Sequence, residues 1–306
     1  MYRNSASAAD ACAAMGYGDG IGDGYSLPFD DVPGFRTAQL DDNPFSAASA
    51  PGAEGTRVGI IRISLFSPHK AKAACVKAWE ERRGTISGQC NEACQDSAYY
   101  RTGKLLAQAL RRSVTALEQE GVSSMLVDLG GNGGGSEWVA LAARAVTGGP
   151  LKVPATFRTK AGADRLCRWE EAIARRCSSL IPMDQDPETL AALEENPTPK
   201  STRPLFVLVD AGTASASEYF AAVLQDSNAA RIVGTRTMGA GCGYLDGGGE
   251  FVLPRTKLRV RAPNCVRTRK DGTNERAGIR PDVELTSSSG NDRARETLAV
   301  ASQSKL

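Results

Sequence analysis

The sequence predicts an α/β fold in which buried strands run through small-residue turns into helices. Two segments carry that prediction. Leu205 to Val209 is a short apolar, β-rich run bounded by Pro204 and Gly212, and the breaker-free stretch Glu218 to Gln225 behind it suits a helix. Ser123 to Leu129 is a second such run. It enters Gly130-Gly131-Asn132-Gly133-Gly134-Gly135-Ser136 and then a helical stretch, Glu137 to Val146, stopped by Gly148-Gly149. Further strands are expected near 58–66 and 231–235, so strands alternate with helical segments through the middle of the chain.

The turn between the first strand and helix reads Asp210-Ala211-Gly212-Thr213-Ala214-Ser215-Ala216-Ser217-Glu218. Ser215 therefore falls at or next to a helix N-terminus, among residues small enough to admit a substrate. Free N–H groups and the positive end of the helix dipole there would favour a developing oxyanion. The competing reading is structural: Ser215 as an N-cap, with Glu218 three residues on completing a capping box. The glycine turn after Leu129 lets backbone N–H groups approach a ligand. It lacks the Lys-Ser/Thr ending of a phosphate loop and the spacing of a dinucleotide fingerprint. Beside the Ser215 turn it reads as the other half of an oxyanion hole.

Four blocks in order resemble the S41 peptidases, a family that includes tail-specific proteases, the tricorn core protease and the chlamydial protease-like activity factor. They are Val58 to Ile63, Val127 to Gly135, Thr213 to Glu218 with Gln225-Asp226, and Ile232 to Gly241 followed by Ala277 to Val283. The resemblance spans roughly residues 55 to 288. It implies a ClpP/crotonase-like core of repeated β-β-α units and a serine-type endopeptidase acting on polypeptides through an acyl-enzyme. It places the nucleophile at Ser215 and the oxyanion donors at the N–H groups of Ala216 and Gly134, the latter ahead of Gly133 and Gly135.

The proton acceptor departs from one branch of that family. Tail-specific members carry a lysine in a block that reads Thr237-Met238-Gly239-Ala240-Gly241 here, and Ala240 stands in its place. The Ser-His-Glu branch is the better match: its glutamate corresponds to Glu275, shortly before Gly278-Ile279-Arg280-Pro281. Without the resemblance, Glu275 reads as a surface carboxylate in a charged turn. The chain has one histidine, His69, in Phe66-Ser67-Pro68-His69-Lys70. Family members with this triad hold their histidine further upstream. Either His69 is the base in a rearranged site, or it is a loop residue and the chain is the C-terminal part of a longer peptidase. A peptide-binding module without turnover is the alternative from another functional class. An acyl-CoA enzyme of crotonase type is a third, opposed by the Ser-Ala-Ser-Glu block.

Composition bounds the remainder. The 306 residues, 41% hydrophobic, can form one domain with a sizeable core, and the net charge of +2 gives no bulk attraction to nucleic acid. The basic runs Arg255 to Arg261 and Arg267 to Lys270 read as solvated strand faces and turns. No apolar stretch is long enough to span a membrane. Eight cysteines, several close in sequence (Cys90 and Cys94, Cys167 and Cys177), read as disulfides, hence as a periplasmic or extracellular protein, with the pairing left open. Zinc is disfavoured by the lack of a Cys-x-x-Cys pair and the single histidine. No cofactor or metal is expected. The Asp/Gly alternation at 18–24 lacks the glutamate of a calcium loop. Residues 1–55 read as a Gly/Ala/Asp-rich segment or linker, 56–288 as the core with insertions near 84–100 and 160–200, and 289–306 as a tail or short helix.

Overall fold

The computed structural model describes residues 7–82, 90–136, 138–148, 151, 156–159, 180–182, 201, 203–241, 249–262, 265–269 and 271–303. Seven strands form the main sheet, in spatial order β1 (Arg36–Thr37), β2 (Ala47–Pro51), β3 (Arg57–Arg62), β4 (Ser124–Asp128), β7 (Leu205–Val209), β8 (Arg231–Gly234) and β12 (Val283–Glu284). From β3 to β12 neighbouring strands are parallel, whereas β1 and β2 add antiparallel at one edge. A second sheet holds β5 (Thr156–Thr159), β6 (Leu180–Pro182) and β11 (Cys265–Thr268), and a two-stranded ribbon holds β9 (Gly249–Val252) and β10 (Arg259–Ala262).

The central strands are apolar along most of their length because both faces of the sheet are covered. Ile61, Val127, Val207 and Ile232 point into one layer with α3 (Glu92–Gln119), α4 (Val139–Thr147) and α5 (Ala216–Asp226). Their neighbours Ile60, Leu126, Phe206 and Val233 point into the opposite layer, which α6 (Gly290–Ala301) covers with Ala294, Leu298 and Ala301. Alternation along each strand thus builds two cores from one sheet.

The N-terminal segment is more ordered than its composition suggests. Residues 47–50 are buried in β2, and Ala47 to Pro51 pair with Ile61 to Arg57. Ala-Ala-Ser-Ala-Pro has weak strand propensity, so only tertiary pairing makes it a strand. Further upstream, α1 (Ala8–Ala14) is bonded to α2 (Lys72–Arg82) by the Cys12–Cys75 disulfide. A second disulfide, Cys90–Cys94, closes the start of α3. The expected 84–100 insertion is therefore partly helix, since α3 begins at Glu92. The C-terminal stretch holds the short helix α6. Cys167, Cys177 and Cys242, the helix expected at Pro187 to Glu195 and most of the 160–200 insertion lie outside the described residues.

The Cys12–Cys75 bond closes a loop of 63 residues in sequence separation. Chain-entropy reasoning gives such a link about 4 kcal/mol. Replacing Cys12 and Cys75 together with serine should expose amides of residues 8–21 to fast hydrogen exchange while β3, β4 and β7 stay protected. Unchanged exchange in 8–21 would show that packing alone holds α1.

Candidate active site

Parallel pairing of β4 with β7 brings two turns side by side at the carboxyl ends of adjacent strands, where α/β sheets place ligand sites. The turns are braced to each other. Asp210 Oδ1 accepts hydrogen bonds from Gly131 N at 2.8 Å, Gly212 N at 2.8 Å and Thr213 N at 3.0 Å. Thr213 Oγ1 donates to Leu129 O at 3.0 Å, and Ala214 N donates to Asn132 O at 2.9 Å. The glycine turn is thereby fixed against the serine turn. A Cβ on Gly134 would lie 2.7 Å from Ser215 Cβ and 3.0 Å from Ala216 N, so only glycine allows this approach.

Ser215 is the residue before α5 and has φ 54° and ψ −117°, left-handed territory that costs a non-glycine residue about 1–3 kcal/mol. Strain of this kind persists only where the surroundings impose it. Here Glu218 imposes much of it. Its carboxylate, fully buried, accepts from Ser215 N at 2.9 Å and Ala240 N at 2.8 Å on Oε2, and from Thr237 Oγ1 at 2.6 Å and Gly239 N at 2.7 Å on Oε1. The expected capping box between Ser215 and Glu218 is thus present, but the same carboxylate also anchors the loop after β8. That wider role had no signal in the local sequence beyond the Ser-x-x-Glu spacing.

Two backbone donors matter near Ser215. The Ala216 N–H, first in α5, has no acceptor among the described residues. The Gly134 N–H, by contrast, donates to Asn132 Oδ1 at 2.9 Å, and Asn132 is itself buried and held by its Nδ2 bond to Ile63 O. Its neighbour Gly135 bridges Phe66: Phe66 N donates to Gly134 O, and Ser136 N to Phe66 O. In that parallel pattern the N–H of Gly135 points away from Phe66, and it has no acceptor among the described residues.

Glu275 is 1% exposed, in a short 3-10 turn, and forms an ion pair with Arg267. The surface reading of both residues fails, because Arg267 is itself only 4% exposed. Its guanidinium also donates to Ser215 O at 3.1 Å and lies 4.9 Å over the Tyr219 ring. Glu275 Oε1 is buried with no hydrogen-bond partner among the described residues. Burial pushes the Glu275 carboxyl above its usual range; Arg267 opposes that shift and the Glu218 charge adds to it. Arg269, two residues along β11's continuation, pairs with Asp226 at the far end of α5. Sequence spacing carried no hint that a strand outside the main sheet would reach the Ser215 turn.

His69 lies in the 3-10 turn Pro68–Lys70, with its ring centroid 4.5 Å from Tyr17 and 5.2 Å from Tyr99. Partial burial there lowers its pKa. Among the described residues no hydrogen bond joins His69 to Ser215 or Glu275. Ser215, Ala216, Gly134 and Glu275 are thus drawn together directly or through Arg267, and His69 is seated in the tyrosine stack. Among the described residues no cluster of His, Cys, Asp and Glu could hold a metal ion, and no helix is long and apolar enough to cross a membrane.

Replacing Glu218 with Gln leaves one carbonyl oxygen and turns an NH2 group toward two donors. The expected cost is about 3 kcal/mol of stability, read from urea unfolding. A loss below about 1 kcal/mol would show that the carboxylate is not what holds these loops.

Comparison with known proteins follows the same lines. The model of peptidase family S41 matches residues 57–285. The C-terminal processing peptidase, chloroplastic, of Tetradesmus obliquus is 26% identical over 248 residues, which cover 79% of this chain and 38% of that protein. Mature CPAF complexed with lactacystin is similar in structure, with a TM-score of 0.54 at 17% identity over 93% of this chain and 57% of that one. Another structure of mature CPAF gives 0.50 at 17% identity, covering 93% and 56%. The chain therefore spans well under half of the curated relative and a little over half of the solved structures.

Proposed function

The chain belongs to peptidase family S41, and from that premise we propose that it is a serine endopeptidase that hydrolyses polypeptides through an acyl-enzyme on Ser215. The observation that carries the proposal is the strained Ser215 backbone, held at the N-terminus of α5 with Gly134 packed against its Cβ. A serine so placed presents its hydroxyl beside unbonded N–H groups that can receive the oxyanion of a tetrahedral intermediate. Ala216 N–H is one donor. Gly135 supplies the second, in preference to Gly134, because Asn132 Oδ1 already takes the Gly134 N–H.

The reaction needs a base for the Ser215 proton. Ala240 gives no lysine at the tail-specific position, and a guanidinium such as that of Arg267 has no lone pair to take a proton, so neither serves. The orphaned Glu275 Oε1 supports a Ser-His-Glu arrangement, since an imidazole N–H donated to it would be oriented and its cationic form stabilised. His69 would fill that role only after leaving Tyr17 and Tyr99. The two disulfides support a periplasmic or extracellular location. A second reading, a peptide-binding module without turnover, is favoured by the absence of an imidazole bonded to Ser215 among the described residues.

A fluorophosphonate probe separates the two readings. The folded protein should be labelled stoichiometrically at Ser215, located by peptide mass spectrometry, and Ser215→Ala should abolish labelling with the melting temperature preserved. His69→Ala should then slow labelling by about 100-fold or more if His69 is the base. Folded wild-type protein that takes up no probe would overturn the peptidase reading in favour of the binding module.

A further inference from the structure

We infer that Arg267 is a positioning residue that locks the nucleophile and Glu275 into one unit, acting from a strand outside the main sheet. The inference rests on the serine-peptidase reading above. Three contacts support it. Arg267 donates to the carbonyl oxygen of Ser215, pairs with Glu275 Oε2 and stacks over Tyr219, one turn into α5. Few side chains could do this. A guanidinium is planar, always charged and carries donors pointing in divergent directions, so it can hold two oxygens at fixed separation; an ammonium is a point charge that cannot.

Each contact has a consequence for Ser215. A residue at φ 54° and ψ −117° relaxes unless its peptide groups are held on both sides. Glu218 holds the Ser215 N–H, and Arg267 adds a third bond to the Ser215 C=O, which already accepts from Glu218 N and Tyr219 N in the first turn of α5. The nucleophile is thus gripped at both backbone polar groups by buried side chains of opposite charge. The pairing also leaves Glu275 with one oxygen occupied and the other, Oε1, bare. Arg267 therefore fixes which carboxylate oxygen faces an incoming partner. Its strand, β11, belongs to the sheet with β5 and β6, so the arrangement ties that sheet to the nucleophile.

A purely structural ion pair and a positioning device respond differently to removal of both partners. Deleting one member of a buried pair strands the other charge, whereas deleting both is often tolerated. Arg267→Met should lower the melting temperature by about 8–15 °C, and Arg267→Met with Glu275→Gln should recover most of that loss. Fluorophosphonate labelling carries the test in Arg267→Met, where kinact is expected about 100-fold below wild type with KI little changed, while the double variant, which also lacks the Glu275 carboxylate, should label no faster. Arg267→Lys should fold with nearly the wild-type melting temperature and still label slowly. Arg269→Met, which removes the pair with Asp226 at the other end of α5, is the control and should label within about threefold of wild type.

Recovery of kinact together with stability in the double variant would overturn the inference, as would wild-type labelling of Arg267→Met. Should Arg267→Met fail to fold, Arg267→Lys decides: wild-type kinact there overturns the inference, and slow labelling of a folded protein supports it. An unlabelled but folded wild type would instead overturn the peptidase reading, and this inference with it.

Discussion

A single buried carboxylate, that of Glu218, sets the geometry on which the site depends. Burying a carboxylate is costly unless its lone pairs are filled, and Glu218 fills them with three backbone N–H groups and one hydroxyl. Those four donors come from two loops that follow β7 and β8, so satisfying one side chain fixes both loops. The Ser215 backbone can then occupy a conformation that no isolated serine would keep. Asp210 does the same between the turns after β4 and β7, accepting from Gly131 on one and Gly212 and Thr213 on the other. The parallel sheet brings the loops to one edge, and two acidic side chains lock them into register.

How much of this could be read in the sequence follows from the range of the forces involved. The strands β3, β4, β7 and β8 are apolar runs bounded by breakers, and they form within a few residues of where the pattern puts them. Ser215 at a helix start follows from the same local pattern. β2 escaped because nothing in Ala47 to Pro51 favours a strand until Arg57 to Ile61 pairs with it. Arg267 escaped for a related reason, as did the burial of Glu275, a residue that the family resemblance had singled out. A basic run and a charged turn are normally solvated, and these two are buried only because β11 folds over α5 and places each against the other. Asn132 was also missed. A side chain bonded to the N–H two residues ahead leaves no periodic signal, yet it decides which glycine N–H remains open.

The disulfides act at a different level. Cys12–Cys75 joins α1 to α2 and underlies the small cluster of Ala8, Ala11, Tyr17 and Trp79. Gly18 N donates to His69 O, and Ile21 N to Lys70 O, so the N-terminal segment is laid directly over the His69 turn. That turn begins just after Phe66, which is bonded to the glycine turn on both sides of Gly135. The histidine's environment is therefore coupled through the backbone to the glycine turn, although its ring is turned toward Tyr17 and Tyr99.

On the proposal that Ser215 is the nucleophile, the buried charges around it favour a cation beside it during acyl transfer. Glu218 and Glu275 are both buried and repel each other, and Arg267 is the guanidinium bonded to Glu275. The cluster thus sets two buried carboxyl groups against one guanidinium, and burial pushes the Glu275 carboxyl up while Arg267 opposes that shift. Such a site favours any group that becomes positive inside it, because low dielectric strengthens the attraction. In acyl transfer the base becomes positive as it takes the serine proton, at the moment the oxyanion forms. An imidazolium donating to Glu275 Oε1 would pair with that carboxyl group and satisfy an oxygen that has no partner among the described residues. The Ala240 N–H bonds to the Glu218 carboxylate, and a Cβ on the next residue, Gly241, would lie 2.8 Å from Glu275 Oε2, so this loop lies against both carboxylates. On the proposed reading, the Glu275 oxygen that has no partner among the described residues is where a histidine would dock.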